Sequence, residues 1–540
     1  MKRPPANGLA TQLTQSHLTR RGLLKSAAAG AAVMAVGGVA PTLTAAQEGS
    51  VAIFATTVDI PNIDPAIGHD GAIATTQKHL YDSLYRHLGN PAELVPWLAT
   101  GHTVSDDAKT WTFTLDPNAK FKDGSPVTAD AVVYSTQRII DLNQGVAWMF
   151  TGILDKDGVT AVDPQTVQFT LSTPFAPFLH ATAWIFVLNP AEVEANDKDD
   201  DQGQEWLVSN SAGSGPFTIV RWEPGNLYEF AADPDYWKGW ENPHVDGYIH
   251  QVSAESSTKR IALQNGDIQM AEWLSPQDKT ILAKASGVVV PMDPSISTYT
   301  IKLNNKVGPT SDANVRRAMS YAFDYDAMIE ILGGFGTRIA GPLSTALAGA
   351  RQDPVYQTDL DKAKEELAKS ADYADGFEID FVYVTGLEEE RQTGQILADQ
   401  LSNLNIKVNV VGMEWANAVA LFADAETSPA MFPIYSGSDY PDADNYLWQS
   451  FHSSSAGTWT GADHYANPDV DSLLEQARAA TDDATRTDLY DQVQGIVIDD
   501  AVEIYLTSPI EALPHREELV GYQYTPVMGS DPWWYAISMG

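Results

Sequence analysis

The stretch Glu388–Val411 reads EEERQTGQILADQLSNLNIKVNVV. Its first part, Glu388–Leu404, has the apolar spacing of an amphipathic helix, and its last part, Ile406–Val411, has the pattern of a half-buried strand. A helix that leads into a strand at this spacing is typical of a βαβ unit. The second half of the chain is therefore predicted to contain an α/β lobe.

Helices and strands of the same kinds are predicted on both sides of this unit. Further amphipathic helices are predicted over Asn314–Leu332, Asp469–Arg478 and Asp482–Asp499. Short alternating strands are predicted over Trp111–Leu115, Phe217–Val220 and Tyr299–Leu303. A chain with β-rich ends around an α/β middle indicates two lobes that are connected by crossing strands.

The composition excludes several functional classes. The chain has 540 residues, with 71 acidic and 33 basic side chains and a formal net charge of −38. Because a nucleic-acid partner requires a basic surface, no nucleic-acid role is expected. The sequence has no cysteine, which removes disulfides, thiol catalysis and cysteine-ligated metal centres. The length and the 44% hydrophobic content predict large cores in roughly two to four domains.

The N-terminal residues Met1–Ala46 are predicted to be an export signal. They contain five Lys or Arg side chains and no acidic residue. The segment Thr19–Lys25, TRRGLLK, resembles the twin-arginine consensus, and an Ala/Gly-rich stretch then leads to the small residues Thr44–Ala46. Since that stretch is short and ends at Pro41, cleavage before Gln47 is favoured over a membrane anchor. We expect export into a periplasm.

The sequence lacks motifs for catalysis and metal binding. No P-loop, GxGxxG, HExxH or GxSxG spacing is present. Asp197, Asp199 and Asp201 have the spacing of a calcium loop, but the required glycine comes one position late and Val208 replaces the closing glutamate. A solvated loop is favoured there. We predict no catalytic residue, no metal site and no cofactor, and hence a protein that is not an enzyme.

The segment Ser436–Trp448 reads SGSDYPDADNYLW and combines carboxylates with glycine, proline and aromatic residues. It follows an apparent strand, Met431–Tyr435, and a turn of this composition caps a following helix. A carboxylate held beside aromatic walls is equally a good receptor for an ammonium group. Both interpretations stay open for Asp439, whereas Asp442 and Asp444 are interpreted as helix caps.

A set of short motifs is spread over residues 51–527. In the first half they are Ile63–Pro65, Leu80–Tyr85, Leu94–Ala99, Ser105–Asp107, Thr110–Leu115, Lys120–Asp130, Gly213–Phe217 and Pro234–Trp237. In the second half they are Asn314–Asp324, Asp361–Lys364, Glu414–Trp415 and the Asp439 loop. Together these motifs resemble the extracellular solute-binding proteins of family 5, which are the dipeptide- and oligopeptide-binding components of ABC importers.

The resemblance implies an α/β fold of the type II periplasmic-binding-protein kind, with two lobes and an extra subdomain in the first. Lobe I would comprise residues 47–300, with the subdomain at about 90–215, and would be completed by residues 508–540. Lobe II would comprise residues 301–507. The implied function is that a monomer captures a peptide or peptide-like solute by hinge closure and delivers it to ABC permease subunits.

The resemblance also implies roles for individual residues. In peptide-binding members, an Asp at the position of Asp439 takes the α-ammonium group, and Trp415 matches a tryptophan that packs near the ligand. Trp415, Tyr440 and Trp448 are predicted to form aromatic walls of the site, with core packing as the alternative.

The sequence departs from the family pattern at the position that would receive a ligand carboxylate. Dipeptide binders have an arginine in the stretch that aligns with Val384–Gly386, and this sequence has none there. Arg338 is the candidate replacement, because a guanidinium group suits carboxylate geometry, and an ordinary surface role is the alternative. Nickel is not expected, because the acidic loop lacks the histidine of the nickel-binding branch.

Other functions fit parts of the sequence. The bound solute could be an opine, an amino-sugar derivative or an oligosaccharide rather than a peptide. The same fold could present a ligand to a chemoreceptor. A secreted enzyme exported by the twin-arginine route is a further alternative, but it would need a nucleophile–base set or a cofactor site.

Overall fold

The computed structural model describes residues 50–240 and 243–540, so the predicted signal Met1–Ala46 lies outside the described residues. The strands are β1 (Val51–Thr56), β2 (Tyr85–Leu88), β3 (Glu93–Pro96), β4 (Ala99–Val104), β5 (Thr110–Leu115), β6 (Val159–Asp163), β7 (Thr166–Thr170), β8 (Phe217–Glu223), β9 (Leu227–Ala232), β10 (Gly247–Val252), β11 (Met270–Ala271), β12 (Val288–Val289), β13 (Asp293–Pro294), β14 (Thr298–Leu303), β15 (Gly336–Arg338), β16 (Glu378–Val384), β17 (Lys407–Met413), β18 (Met431–Ser436), β19 (Glu503–Glu511), β20 (His515–Arg516), β21 (Leu519–Val520) and β22 (Ser538–Met539).

The α-helices are α1 (Gly71–Leu80), α2 (Ala129–Leu142), α3 (Phe178–Ala181), α4 (Pro190–Ala195), α5 (Gln204–Leu207), α6 (Ser256–Asn265), α7 (Pro276–Leu282), α8 (Ala313–Ala322), α9 (Tyr325–Ile331), α10 (Leu360–Leu367), α11 (Glu388–Ser402), α12 (Trp415–Phe422), α13 (Ala443–Phe451), α14 (Pro468–Ala479) and α15 (Asp483–Asp499). The predicted helix and strand of Glu388–Val411 are thus present as α11 and β17. The helix predicted over 314–332 is divided into α8 and α9, because Asp324 caps α9 by accepting a hydrogen bond from the amide of Ala327.

The first large sheet has the strand order β12-β20-β11-β1-β10-β9-β8. β1 is parallel to both of its neighbours, and the outer pairs are antiparallel. A separate antiparallel sheet, β4-β5-β7-β6, packs with α2 and shares one continuous hydrophobic core with the first sheet. We call the residues around this core the first lobe.

The second large sheet has the order β13-β19-β14-β18-β16-β17, with β15 paired to β19. Its hydrophobic core is separate from the first, and its helices are α8, α9, α10, α11, α13, α14 and α15. We call the residues around this core the second lobe.

The buried Lys302 on β14 pairs there with Glu503 and Asp463, and burial raises the pKa of Asp463 to about 7.

The chain passes between the two sheets twice. It leaves the first sheet after β12 and enters the second at β13, and it returns between β19 and β20. The predicted lobe boundaries at 300/301 and 507/508 fall inside β14 and β19, which are neighbouring strands of the second sheet. The division into residue ranges stays a prediction.

Four of the separated sequence motifs meet at Asp82 in the first lobe. Its buried carboxylate accepts hydrogen bonds from Nε1 of Trp97 at 2.7 Å and from Nε1 of Trp237 at 2.8 Å. It also accepts from the hydroxyls of Tyr236 at 3.0 Å and Ser214 at 2.9 Å. A buried charge needs several donors to offset its lost hydration, so these motifs form one structural unit.

Candidate ligand-binding site

The carboxyl ends of three strands lie at one edge of the second sheet. β16 is parallel to β17 and β18, so Val384, Met413 and Ser436 end on the same side. In open α/β sheets, ligands bind in the crevice beyond the carboxyl ends of the strands. Asp439 comes three residues after β18, and Trp415 comes two residues after β17. These two predicted site residues therefore lie at the same edge.

The Asp439 side chain is only 8% exposed. Its Oδ2 accepts a hydrogen bond from Nδ2 of Asn445 at 3.2 Å, whereas its Oδ1 is buried without a hydrogen-bond partner in the described chain. The Nε2 atom of His69, from the first lobe, lies 3.1 Å from Oδ1 but does not align as a hydrogen-bond donor. A buried carboxylate oxygen with spare acceptor capacity is a receptor for a cation.

The backbone of the Asp439 loop is held by residues of the first lobe. Nε1 of Trp184 donates to the carbonyl oxygen of Asp439 at 2.8 Å. The amide of Met528 donates to the carbonyl oxygen of Ser438 at 2.9 Å. The loop therefore belongs to the second lobe by its strand and contacts the first lobe directly.

A buried lysine lies next to this loop. The ammonium group of Lys78 donates to the carbonyl oxygen of Met528 at 2.6 Å and to Oγ of Ser530 at 2.8 Å, and it lies 4.3 Å from the centre of a Trp184 ring. Burial lowers the pKa of Lys78 well below its ordinary value, and the negative charge of Asp439 opposes this shift. Lys78 is thus satisfied by neutral acceptors, which leaves the Asp439 carboxylate without a direct lysine partner.

Exposed tryptophans stand at the same edge of the second sheet. Trp415 is 43% exposed and lies 6.2 Å from Trp459, which is 38% exposed. Trp415 also contacts Phe422 and Phe432. Large exposed aromatic rings beside a buried carboxylate can pack against a ligand, so Trp415 stays a predicted contact. The sequence interpretation did not single out Trp459.

Tyr440 is fully buried in the contact between the loop and the first lobe. Its hydroxyl donates to Oδ2 of Asp444 at 2.8 Å, and its ring stacks near His180 and Trp148, with centroid distances of 6.0 and 6.5 Å. Burial and the Asp444 charge raise its pKa well above the ordinary value. These contacts of Tyr440 stabilise the loop, and its contact with ligand stays a prediction.

Trp448 lies on α13, on the side of the loop that faces α14. Its ring stacks on His452 with a centroid distance of 3.7 Å, and the guanidinium of Arg478 lies 3.3 Å from a ring centre. Arg478 in turn donates to Oδ1 of Asp444 at 2.7 Å. These contacts account for Trp448 within the second lobe, and its role as a wall of the site stays a prediction.

Arg338 lies at the end of β15, and its guanidinium is engaged inside the second lobe. It donates to the carbonyl oxygen of Tyr356 and stacks 3.2 Å from the ring centre of Tyr325. Its Nε is buried without a hydrogen-bond partner among the described residues. Burial lowers the pKa of Arg338. Arg338 as a receptor for a ligand carboxylate stays a prediction, and it would have to leave these partners.

The helix-cap interpretation of the loop fits Asp442. It is the N-cap of α13, where its Oδ1 accepts from the amide of Asp444 at 2.9 Å, and it also pairs with Arg486 at 2.8 Å. Asp444 lies in the first turn of α13 and is fully buried against Arg478. The prediction of Asp444 as a helix cap is wrong, because Asp442 already caps α13 and Asp444 lies inside its first turn, and Asp439 caps no helix either.

The first sheet presents a second carboxylate that sequence reasoning missed. β1 and β11 are parallel, and Glu272 follows β11 directly. Its Oε2 accepts from Oγ1 of Thr56, the last residue of β1, at 2.9 Å. Burial, together with the nearby charge of Glu511, raises the pKa of Glu272 to about 7.

Trp273 follows Glu272 and has an unusual backbone for a bulky residue. Its φ is +52°. Trp273 is 56% exposed, more than Trp415 or Trp459. Nζ of Lys259 donates to the carbonyl oxygens of both Glu272 and Trp273, at 2.7 and 3.2 Å, which holds this conformation. A sequence signal existed, because a Glu-Trp pair directly follows a strand at 272–273 and again at 414–415.

Further carboxylates gather where the chain crosses between the sheets. Asp531 accepts from the hydroxyl of Tyr522 at 2.9 Å, and burial raises its pKa well above the ordinary value. The charges of Glu511, Glu272 and Asp293 act in the same direction on Asp531.

In residues 50–240 and 243–540, no group of three or more His, Asp or Glu side chains is arranged to hold a metal ion. No helix in that part of the chain is long and apolar enough to span a membrane.

Comparison with known proteins gives consistent matches. The profile of the bacterial extracellular solute-binding proteins, family 5 (middle), matches residues 93–458. The probable D,D-dipeptide-binding periplasmic protein DdpA of Escherichia coli K12 is 33% identical over 499 residues, which cover 90% of this chain and 94% of that protein. The glutathione-binding protein GsiB of Pectobacterium atrosepticum is 27% identical over 497 residues, with coverages of 90% and 94%.

A solved structure shows the same fold. The periplasmic binding protein DppA of Helicobacter pylori, in complex with the peptide STSA, has a TM-score of 0.81 at 24% identity. The match covers 91% of this chain and 98% of that one. The two-lobed α/β fold predicted from the sequence is confirmed.

Proposed function

Since the chain belongs to the bacterial extracellular solute-binding proteins of family 5, we propose that it captures a peptide or peptide-like solute between its two lobes and delivers it to the permease of an ABC importer. The relatives matched over most of the chain are binding proteins rather than enzymes. The proposed role is therefore binding and release of an unchanged solute.

The observation that supports this proposal most strongly is the environment of the Asp439 carboxylate. Its Oδ1 is buried, has no hydrogen-bond partner in the described chain, and lies at the carboxyl edge of the second sheet. A ligand ammonium group would supply the missing donor. A hydrogen bond to a charged group contributes about 1.5–3 kcal/mol, which is enough to orient a small ligand.

Closure of the two lobes is supported by their connections. Two short passages join the sheets, between β12 and β13 and between β19 and β20. The Asp439 loop already contacts Trp184 and Met528 of the first lobe. A ligand that contacts both lobes stabilises the closed arrangement over an open one.

The charges at the site favour a ligand that is anchored by a cationic end. Asp439 presents a buried carboxylate oxygen without a hydrogen-bond partner in the described chain, whereas Lys78 is bound by neutral acceptors and Arg338 is engaged with Tyr325 and Tyr356. A free amino terminus provides such an end. The same observation favours, as a second candidate, an amine-bearing solute that is not a peptide, such as an opine or an amino-sugar derivative, because such a solute also carries a cationic nitrogen. An oligosaccharide without an amine would leave the Asp439 carboxylate unpaired.

The proposed setting is the periplasm. Residues Met1–Ala46 would direct export by the twin-arginine route and be removed before Gln47, and the mature monomer would meet its permease at the inner membrane. Presentation of the same ligand to a chemoreceptor would use the same closed form.

The proposal is tested by identifying solutes that leave the purified protein on denaturation, using mass spectrometry. Calorimetric titration then compares L-Ala-L-Ala, D-Ala-D-Ala and tetra-alanine with their N-acetylated forms. We expect binding of a free-amine member and at least tenfold weaker binding of its acetylated form. Equal affinities for both forms, or recovery of a chemically changed solute, would contradict the proposal.

A further inference from the structure

His69 is a first-lobe residue that meets the proposed cation receptor. It directly precedes Asp70, the N-cap of α1, and its ring packs edge-on against Trp184 with a centroid distance of 5.1 Å. Its side chain is 17% exposed, and its Nε2 lies 3.1 Å from Oδ1 of Asp439. This is the same oxygen that a ligand ammonium group would approach.

The imidazole of His69 is held loosely compared with another histidine of the same lobe. Nδ1 of His69 is buried without a hydrogen-bond partner in the described part of the chain. In His79, by contrast, Nδ1 lies 2.7 Å from the carbonyl oxygen of Thr75, and Nε2 accepts from the amide of Trp534 at 2.9 Å. Two hydrogen bonds fix the ring of His79, whereas nothing on the Nδ1 side fixes the ring of His69.

We propose that His69 is a specificity-determining residue which occupies the Asp439 carboxylate when the lobes close without a ligand and yields Oδ1 to the ligand's ammonium group. This inference rests on the proposed function. A ligand without an ammonium group has nothing to offer the buried Oδ1, so it leaves the imidazole nitrogen in place, 3.1 Å from that oxygen. A ligand with one displaces His69 and pairs with the full carboxylate charge.

Displacement of His69 from Asp439 affects the affinity for a ligand as well as the selectivity among ligands. Every amine-bearing ligand must compete with the His69 contact, so its measured affinity is lower than the bare carboxylate would give. Removing the nitrogen atoms while keeping the ring contact with Trp184 should therefore strengthen binding of amines. It should leave ligands that never approach Oδ1 unaffected.

The test uses two variants of the full mature protein, His69→Phe and His69→Gln. Phenylalanine keeps an aromatic ring against Trp184 but has no nitrogen, and glutamine keeps an N–H donor. The probes are the tightest binder among L-Ala-L-Ala, D-Ala-D-Ala and tetra-alanine, and the N-acetylated form of that peptide. We expect His69→Phe to lower the Kd of the free-amine peptide by about threefold or more, with no change for the acetylated form. We expect His69→Gln to behave as the unsubstituted protein.

The outcomes separate this inference from the proposed function. If the unsubstituted protein binds the free-amine and acetylated peptides equally, or binds neither, the proposed function fails. If it discriminates between them but His69→Phe leaves the Kd of the free-amine peptide unchanged or raises it, the role given to His69 is overturned. A parallel change for both peptides in His69→Phe would indicate a structural effect and would also overturn it.

Discussion

Nε1 of Trp184, a fully buried residue of the first lobe, donates a hydrogen bond of 2.8 Å to the backbone carbonyl of Asp439 in the second lobe. This bond holds the acidic loop to the first lobe, although the strand before the loop belongs to the second sheet. The same loop carries the Asp439 carboxylate, which is the proposed cation receptor. This hydrogen bond therefore couples closure of the lobes to the position of that carboxylate.

Replacing Trp184 with phenylalanine removes this donor while keeping an aromatic ring. A neutral hydrogen bond contributes about 0.5–1.5 kcal/mol, so ligand affinity should fall roughly two- to tenfold. The control is Trp111→Phe, since the Trp111 indole donates at 3.1 Å to Ala108 within the first lobe. Calorimetry on both variants should show weaker binding for Trp184→Phe alone. Equal losses in the two would point to a general effect on the first lobe.

Replacing Asp439 with asparagine should weaken binding of a free-amine peptide by about tenfold or more, because a charge-assisted hydrogen bond of about 1.5–3 kcal/mol is lost. Asp442→Asn is the matched control, since Asp442 caps α13 and pairs with Arg486. That variant should lose stability but retain affinity. An unchanged Kd in Asp439→Asn would remove this residue from the site.

The buried charges of the second lobe predict a stability effect far from the ligand. Lys302 is 1% exposed and pairs with Glu503 and Asp463, and Tyr446 donates to Glu503 at 2.9 Å. Lys302→Met leaves two buried carboxylates without their cation, which should cost about 3–5 kcal/mol in the free energy of unfolding. Adding Glu503→Gln should recover part of that loss. Chemical denaturation of both variants measures it, and a loss below about 1 kcal/mol would be inconsistent with this arrangement.

The buried carboxyl group of Glu390 leads to a prediction of how the free energy of unfolding depends on pH. Its carboxyl is 3% exposed and burial raises its pKa to about 8, although the amide of Val384 donates to it at 2.8 Å. The folded protein keeps this proton while the unfolded chain loses it near pH 4.5, so the group destabilises the fold progressively as pH rises from about 4.5 to 8. Glu390→Gln removes this penalty.

The Glu390→Gln variant should therefore match the unsubstituted protein near pH 4.5 and exceed it by about 2–4 kcal/mol above pH 8. Glu388→Gln is the control in the same turn, because the Glu388 carboxylate is exposed, pairs with Arg391 and has a lowered pKa. That variant should not gain stability at high pH. Thermal unfolding from pH 4.5 to 9 distinguishes the two, and parallel curves for Glu390→Gln and the unsubstituted protein would contradict the raised pKa.

Local patterns in the sequence were sufficient for several elements of the fold. The periodicity of 388–404 and the alternation of 406–411 correspond to α11 and β17, since each pattern reflects burial of one face. The motifs around Asp82 could be recognised separately, but their convergence on one carboxylate depends on contacts between distant parts of the chain. Pattern alone also did not show which sheet β14 and β19 belong to, because both strands are buried on both faces over most of their length.

The candidate site was predictable only where the residue type itself carried the chemistry. Asp439 lies in a turn rich in carboxylates and aromatic rings, and that composition identified the loop. Trp448 and Arg338 have equally suggestive side chains, yet their partners, Arg478 and Tyr325, come from remote segments that no spacing reveals. Glu272 was missed because its only sequence signal, a Glu-Trp pair directly after a strand, depends on recognising β11, a strand of only two residues.

Small-angle X-ray scattering of the mature protein, with and without whichever of L-Ala-L-Ala, D-Ala-D-Ala and tetra-alanine binds, shows whether the two lobes close on a ligand. We expect the peptide, at a concentration near its Kd for the unsubstituted protein, to decrease the radius of gyration, and the same concentration to produce a much smaller decrease in the Asp439→Asn variant. Identical scattering of the unsubstituted protein with and without a peptide shown by calorimetry to be bound would contradict capture by closure of the two lobes.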